Sequence, residues 1–580
     1  PAGPDRPSTR HISNILFTQK KQIFDENGLN DLSVHMGQFI AHDMSFVTPL
    51  ADFTAQGNFA IHIPKGDPTF DPDSTGIATM RFRRSGGKEG TGKTSQTPRQ
   101  QVNKVSGWLD LSVVYGASVD RSNAMRTMSR GLLRSNIFNN EEQLTFNTKG
   151  LPNLNLLGRE RESLVVSGDN RVNVQPGLLT LHTIWAREHN RVANDIAKSH
   201  PTLDDETIFQ SARKRTIASY QSTLMYEWLP LIIGQKMFDE RVGPYKKYDS
   251  STDPRISNEF ATVAFRFGHS QASDFLARLD ENFEEINHGH LHLKNTYFTP
   301  QRVLNEGGLD PIVRGMLRKR CQAIDTVAAD GLRNHLFGTS TSGFDLVALN
   351  IQRGRDHGIT DYNSLREAYG LQKYERFEEI SKDLNIVEKL KELYSNNISN
   401  IDAFVGGLAE DHMKGASIGE LFGIIVADQF RRSRDGDFHW FENTEIEHNF
   451  DEGYETDNDL KFNISYFRNK GMIDILASNT RTGDKLELVG GSKSAYYIGN
   501  TNGACPKYTE ICKHKNGEEI HKTLRDEVLE RYQRAIEFFS ERADSAESIM
   551  EEAKKRGISG EKLLKHIDEK YPYAKPDDSD

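Results

Sequence analysis

Gln38, His42 and Asp43 bring three chemistries into one short stretch. Gln38 and His42 are four residues apart, so on a helix they project from one face. Asp43 points elsewhere, toward a positive partner or a metal ion that wants a hard oxygen ligand. Phe39, Ile40, Met44 and Phe46 mark the segment as buried. A buried polar face needs partners, and without them His42 is only a satisfied core histidine.

Other candidates are scattered along the chain. Ser106, Asp110 and Ser112, with a backbone carbonyl between them, form an oxygen-rich loop of the kind hard cations favour. The loop lacks the charge of an EF-hand, and Asp43 is the natural second carboxylate. Arg171 stands in a neighbourhood otherwise apolar and amide-rich. His269 directly follows Gly268, where a missing side chain lets a bulky planar group approach the backbone. Asn350, Arg353 and Arg355 follow an apolar run. Residues 87–94, GKEGTGKT, satisfy the phosphate-loop pattern. That motif needs a buried strand before it and a helix after it. MRFRR is too basic for the strand and SQTPR breaks the helix, so a surface loop is expected. Lys65-Gly66-Asp67 is expected to be turn chemistry rather than an adhesion signal.

These residues need elements to hold them. Asn30 or Asp31 can cap the helix that carries Gln38 and His42. Pro176 suits the first turn of a core helix on which Leu178, Leu181, His182, Trp185 and His189 recur at helical spacing. A second long helix is expected from about 205 to 231, and a helical pattern over 257–280 has Phe260, Val263, Ala264 and Phe267 on its buried side. Residues 48–85 read as loops and short extended pieces.

Composition narrows the class. The chain has 580 residues, 36% hydrophobic and 27% charged, which describes a soluble globular protein. No apolar run is long enough to span a membrane. A formal charge of −10, with no long basic run, argues against nucleic-acid binding. The opening PAGPDRPSTR lacks the apolar core of a signal peptide, which fits a cytosolic protein or a trimmed, mature chain. Cys505 and Cys512 could close a small loop, whereas Cys321 has no nearby mate. Sequons stand at Asn397 and Asn463. Beyond Cys512 the composition turns rich in Glu, Lys and Arg. Leu524, Val528, Leu529, Tyr532, Ile536 and Phe539 form one helical stripe there. The expected division is 1–512 for the main domain and 513–580 for a charged α-helical extension. Its hairpin docks or dimerises through that stripe, or stays solvated without a partner.

Taken together, GQFIAHD, SGWLDLSVVYG, GDNRVNVQPGL with LHTIWAREHNR, FRFGH and ALNIQRGRDHG resemble, in order and spacing, the animal-type haem peroxidases. The likeness covers roughly 1–505. It implies a mainly α fold, with haem in a helical core and little β-sheet. It also implies an enzyme that reduces H2O2 and oxidises small donors through a ferryl intermediate. By resemblance, His269 is the proximal iron ligand and Asn350 accepts its other ring N–H. Arg353 and Arg266 stand near the haem propionates. His42 is the distal acid–base residue, Arg171 stabilises developing negative charge, and Gln38 positions peroxide or water and lines the halide site. Asp43, Ser106, Trp108 through its carbonyl, Asp110 and Ser112 match the calcium site.

Two departures carry weight. Where many members esterify haem through an Asp and a Glu, this chain has Ala41 and Val174, and the methionine of the neutrophil enzyme's third bond is Gln175. The resemblance therefore implies noncovalent haem b and a weaker oxidant. Iodide, thiocyanate, phenols and, at the limit, bromide are its expected donors, with chloride out of range. Rival outcomes are a fatty-acid dioxygenase on the same scaffold and a matrix or adhesion protein without catalysis. The dioxygenases need a tyrosine three residues before the proximal histidine, where this chain has Arg266 after Phe265. Family likeness also favours secretion, which the sequons fit and the scarcity of cysteines does not.

Overall fold

The computed structural model describes residues 2–50, 57–94, 96–339, 342–446, 462–482 and 494–496. The charged extension at 513–580, together with Cys505 and Cys512, lies outside the described residues.

Helices dominate, as expected. Helix α1 is Thr9–Leu16 and α2 is Asp31–Met44. Helix α3, Pro176–Ser199, begins with its proline in the first turn, where a missing N–H costs nothing. Helix α4, Asp205–Ser222, runs into a wide π-turn at Thr223–Trp228 and a final turn at Leu229–Ile233, so the predicted 205–231 helix is present with a bulge. Helices α5 (Asp310–Arg318), α6 (Leu346–Asp356) and α7 (Glu420–Asp435) complete the frame used below. Sheet among the described residues is confined to four two-stranded antiparallel pairs. One of these joins Ile61–His62 to Thr79–Met80 in the extended stretch expected there.

One contiguous apolar core holds the helices together, with Trp185, Trp228 and Trp440 fully buried in it. Helix α2 packs on α3 and α5, and α1 packs on α6. The N-terminus of α2 is capped by Asn30, whose side chain accepts from the Ser33 N–H. The Asn30 amide also donates 2.8 Å to the carbonyl of Ala495, and the Asp31 carboxylate meets Lys319 at 2.9 Å. The start of α2 is therefore stapled to a segment 465 residues further along the chain.

The region 257–280 departs from its predicted helical pattern. It consists of a short helix, Asn258–Thr262, a 3-10 turn at Ala264–Arg266, one helical turn at Gly268–Gln271, and an extended piece at Phe275–Leu276. The aromatic side chains explain the break. Phe260 stacks on Phe265 at 4.5 Å, and Phe265 meets Phe267 edge-on at 5.7 Å. Residues five apart on a continuous helix face different directions, so this stack forms only where the backbone kinks.

Two sequence signals resolve into ordinary structure. Residues 87–94 form turns, with Gly87 bridged to Gln101 and Thr94 to Thr97, and no helix begins there. Asp67 is buried and its carboxylate is held by Arg10 at 2.7 Å, so the Lys65-Gly66-Asp67 tripeptide presents no adhesion carboxylate. No helix among the described residues is long and apolar enough to cross a membrane.

Candidate active site

A cavity of about 470 Å³ opens between α2 and the broken 257–280 segment, within the ~300–1,000 Å³ usual for cofactor and ligand sites. Gln38, Ala41, His42, Arg171, Val174 and Gln175 line one wall, while Arg266, Gly268, His269 and Arg353 line the other. Sequence positions more than two hundred apart thus converge on one space. Gly268 matches its expected use: a Cβ there would meet only Gln271, at 3.8 Å, so the backbone faces open room.

On the first wall, Gln38 and His42 share the face that their spacing predicted. Burial pushes the His42 imidazole well below its ordinary pKa, and the charge of Arg171 adds to this, so the ring is neutral near pH 7. Its Nδ1 is buried with no hydrogen-bond partner among the described residues. Arg171 is fixed from two sides. Its Nε and Nη2 donate to the two oxygens of Asp169 at 2.8 and 2.6 Å, a bidentate pair. Its Nη1 and Nη2 donate to the carbonyls of Ser45 and His42 at 3.0 and 2.9 Å. A cation on the exposed carbonyls at the end of α2 also suits the helix dipole. Burial raises the Asp169 carboxyl, but the charge and hydrogen bonds of Arg171 outweigh it and hold the group well below the usual range.

On the second wall, Asn350 sits 2.7 Å from His269 Nδ1, where the sequence placed it. Its polarity differs from expectation. Arg266 Nη1 donates to Asn350 Oδ1 at 2.8 Å, so the amide nitrogen is what faces the ring. The reason is that a guanidinium can only donate and claims the oxygen. Burial and the charge of Arg266 push His269 down to about 3. Among the described residues Arg266 meets no carboxylate; its other hydrogen bond there is to the Ala261 carbonyl at 3.1 Å. Burial, then the charge of Arg353, push it down to about 9. Arg353, by contrast, is tied to Asp356 at 2.9 Å and lies over the Phe82 ring. An uncompensated cation on a cavity wall is costly unless the occupant of the cavity is an anion.

The oxygen cluster assembles as well, behind α2. Asp43 accepts from Ser112 Oγ at 2.8 Å and from the backbone N–H groups of Leu111 and Val113 at 3.0 and 3.2 Å. Ser106 Oγ lies 2.9 Å from Asp110 and 3.1 Å from Ser112 Oγ. The N–H of Trp108 reaches Ser106 Oγ at 3.3 Å, which puts Trp108 in the same turn. Burial raises both carboxyls, and Asp43 is raised further by the charge of Asp110. Two crowded acids among hydroxyls are the donor set a hard divalent cation would relieve.

Three residues of the site, Asp169, His35 and His357, escaped the sequence reasoning, and Gln175 reads from the sequence only as a missing methionine. Asp169, two positions before Arg171, is the carboxylate that a buried guanidinium demands. His35 stands three residues before Gln38 on the same helical face and contacts Gln175, whose amide in turn reaches Gln38. His357 also lines the cavity, with its ring nitrogens near Ser85 Oγ at 2.7 Å and Asn258 Oδ1 at 3.0 Å. The spacing from His35 to Gln38 was a signal available in the sequence; the contacts of Gln175 and His357 were not.

Comparison with known proteins identifies the family. The animal haem peroxidase family model matches residues 1–469. Peroxinectin A of Dictyostelium discoideum is 36% identical over 453 residues, covering 76% of this chain and 82% of its own. Drosophila melanogaster peroxidasin and Sus scrofa thyroid peroxidase are each 35% identical over 76% of this chain, which spans only 30% and 51% of their lengths. The solved structure of Dictyostelium peroxidase A superposes with a TM-score of 0.72 at 34% identity, over 79% of this chain and 89% of that one. A fatty acid α-dioxygenase of Arabidopsis thaliana superposes at 0.69 but with 19% identity over 88% of this chain and 79% of its own, a likeness of fold alone. By sequence and by architecture, the chain belongs to the animal haem peroxidase family.

Proposed function

We propose that the chain binds haem b in this cavity and uses it to reduce H2O2 and oxidise small donors: phenols, iodide, thiocyanate and, at the limit, bromide. The observation that carries this is the convergence of neutral His42 and fixed Arg171 opposite His269 and the uncompensated Arg266. The cavity fits the group. His269 offers a ring nitrogen for iron, and Arg266 and Arg353 offer cations for propionates. A histidine ligating through Nε2 carries a proton on Nδ1 and needs an acceptor there. Asn350 would meet that need by turning its amide over, if Arg266 exchanged the amide oxygen for a propionate.

When bound, haem supplies the redox centre for peroxide and donor. The chain supplies the rest. His42 takes the proton from the near oxygen of H2O2 and delivers it to the departing one, which leaves as water. Arg171, already oriented by Asp169, stabilises the negative charge that develops as the O–O bond breaks, without reorganising. Ala41 and Val174 line the cavity without a carboxylate, which supports noncovalent attachment. Calcium between Asp43 and Asp110 would brace α2 directly behind His42. Asn397 and Asn463 are exposed at the starts of helical turns, which supports glycosylation and secretion. Arg266, at the position where a dioxygenase needs tyrosine, argues against fatty-acid oxygenation. The intact cavity argues against a purely structural role.

The test is haem reconstitution. A Soret band with peroxide-dependent oxidation of a phenol is expected, and acid–acetone should then release all the haem. A chain that binds no haem, or binds it without turnover, overturns the proposal.

A further inference from the structure

Gln175 occupies the N-cap of α3, and its carboxamide contacts are unambiguous at one end. The backbone N–H of Gly177 can only donate, and it does so to Gln175 Oε1 at 2.6 Å. That assignment fixes the other end as the –NH2 group, whose two hydrogens are directed at Gln38 Oε1, 2.9 Å away, and His35 Nδ1, 3.0 Å away. Both of those atoms therefore accept. His35, which burial pushes down to about 3, is neutral, with its proton on Nε2. Gln38, with its oxygen engaged, has its own –NH2 group left for the cavity it lines. The arrangement requires the glycine: a Cβ at Gly177 would come within 2.7 Å of the His35 ring.

We propose that Gln175 is a positioning residue: through Gln38 it sets the distal wall as a hydrogen-bond donor surface, selecting ligands that accept, small anions above all. A helix terminus, a backbone N–H whose role cannot invert, thus dictates the polarity of an amide that could otherwise present either end. Together with Arg171, Gln38 makes the wall beside His42 donor-rich.

The inference uses the haem proposal for its probes, while the order of hydrogen bonds stands on the protein alone. The discriminating variant is Gln175→Glu. A carboxylate still accepts from Gly177 and preserves the cap, but it cannot donate. Gln38 then turns its –NH2 toward the carboxylate and its C=O toward the cavity, and His35 moves its proton to Nδ1. In holoenzyme we expect the thiocyanate Kd, read from the perturbed Soret band, to rise at least tenfold. The C–O stretch of the ferrous carbonyl should shift to higher frequency as a donor is replaced by an acceptor. In a Gln38→Leu background, Gln175→Glu should change neither quantity. A thiocyanate Kd within twofold of wild type overturns the inference, as does a shift that persists undiminished without Gln38, which would mean that the new charge acts directly. If Gln175→Glu fails to load haem, Gln175→Asn keeps a capping amide too short to reach Gln38. The Kd should then rise several-fold, and an unchanged value also overturns the inference. Failure of the peroxidase proposal looks different: wild-type protein would itself show no Soret band or no peroxide turnover.

Discussion

Arg171 and Arg266 face each other across one cavity, and they are housed in opposite ways. Arg171 has a bidentate carboxylate and two helix-end carbonyls, so its charge is balanced within the polypeptide. Arg266 has an amide oxygen, a carbonyl and, among the described residues, no acid. The first wall is finished by the chain, whereas the second is left one negative charge short. Under the proposed function, that difference would separate a group whose work is to meet a transient charge from one whose work is to hold a permanent occupant. Preorganisation demands that a catalytic cation already be in place; a docking cation can wait.

The contrast can be broken most strongly at Asp169. Replacing it with Asn strips Arg171 of its orientation, and the second-order rate of reaction with peroxide should fall on the order of 10²–10³-fold, as for other lost transition-state contacts. Stopped-flow mixing measures it, and a rate within threefold of wild type would show that the ion pair is not needed. Arg266→Leu should do the reverse. Haem affinity falls about tenfold or more, yet the apoprotein melts no lower, because removing an unpaired buried cation relieves rather than harms the fold. A lower apoprotein Tm would mean that Arg266 already has its counter-ion. The first wall has one unfinished place of its own, between Asp43 and Asp110. Chelating calcium should lower turnover several-fold and broaden the Soret band, and full activity after verified removal of the metal would separate the oxygen cluster from the site.

The smallest expected effect is in acid. His182 and His189, packed behind the first wall, are pushed down to about 4 by burial. Above pH ~6.5 they are neutral folded or unfolded and contribute nothing to the pH dependence. Between ~6.5 and ~4 the unfolded chain takes up protons that the folded one refuses, so stability should fall across that window. Melting curves should show the decline, and His182→Gln should flatten it; a decline of unchanged slope would assign it to other groups.

What the sequence made legible follows from what is local. The i, i+4 spacing of Gln38 and His42, the proline at the head of α3 and the cap at Asn30 are decided within a turn or two, and each is where its pattern put it. The Ser106–Ser112 loop joins Asp43 because buried oxygens must find each other. The break at 257–280 was not legible, since it depends on how three phenylalanines stack in the fold. Nor was the orientation of Asn350. Chain position can place an amide beside a histidine, but only the guanidinium on its far side decides which end faces the ring. The ester positions, Ala41 and Val174, read plainly as absences, whereas the role of Gln175 needed the Gly177 N–H to be seen.

The staple between Asn30 and Ala495 has a consequence in time. During synthesis from the N-terminus, the helix bearing His42 is made well before the partner that completes its start, which comes 465 residues later. Contacts of such long separation form late. The wall that carries His42 is therefore finished only when the segment around Ala495 is available, which holds back completion of the cavity until most of the fold around it exists.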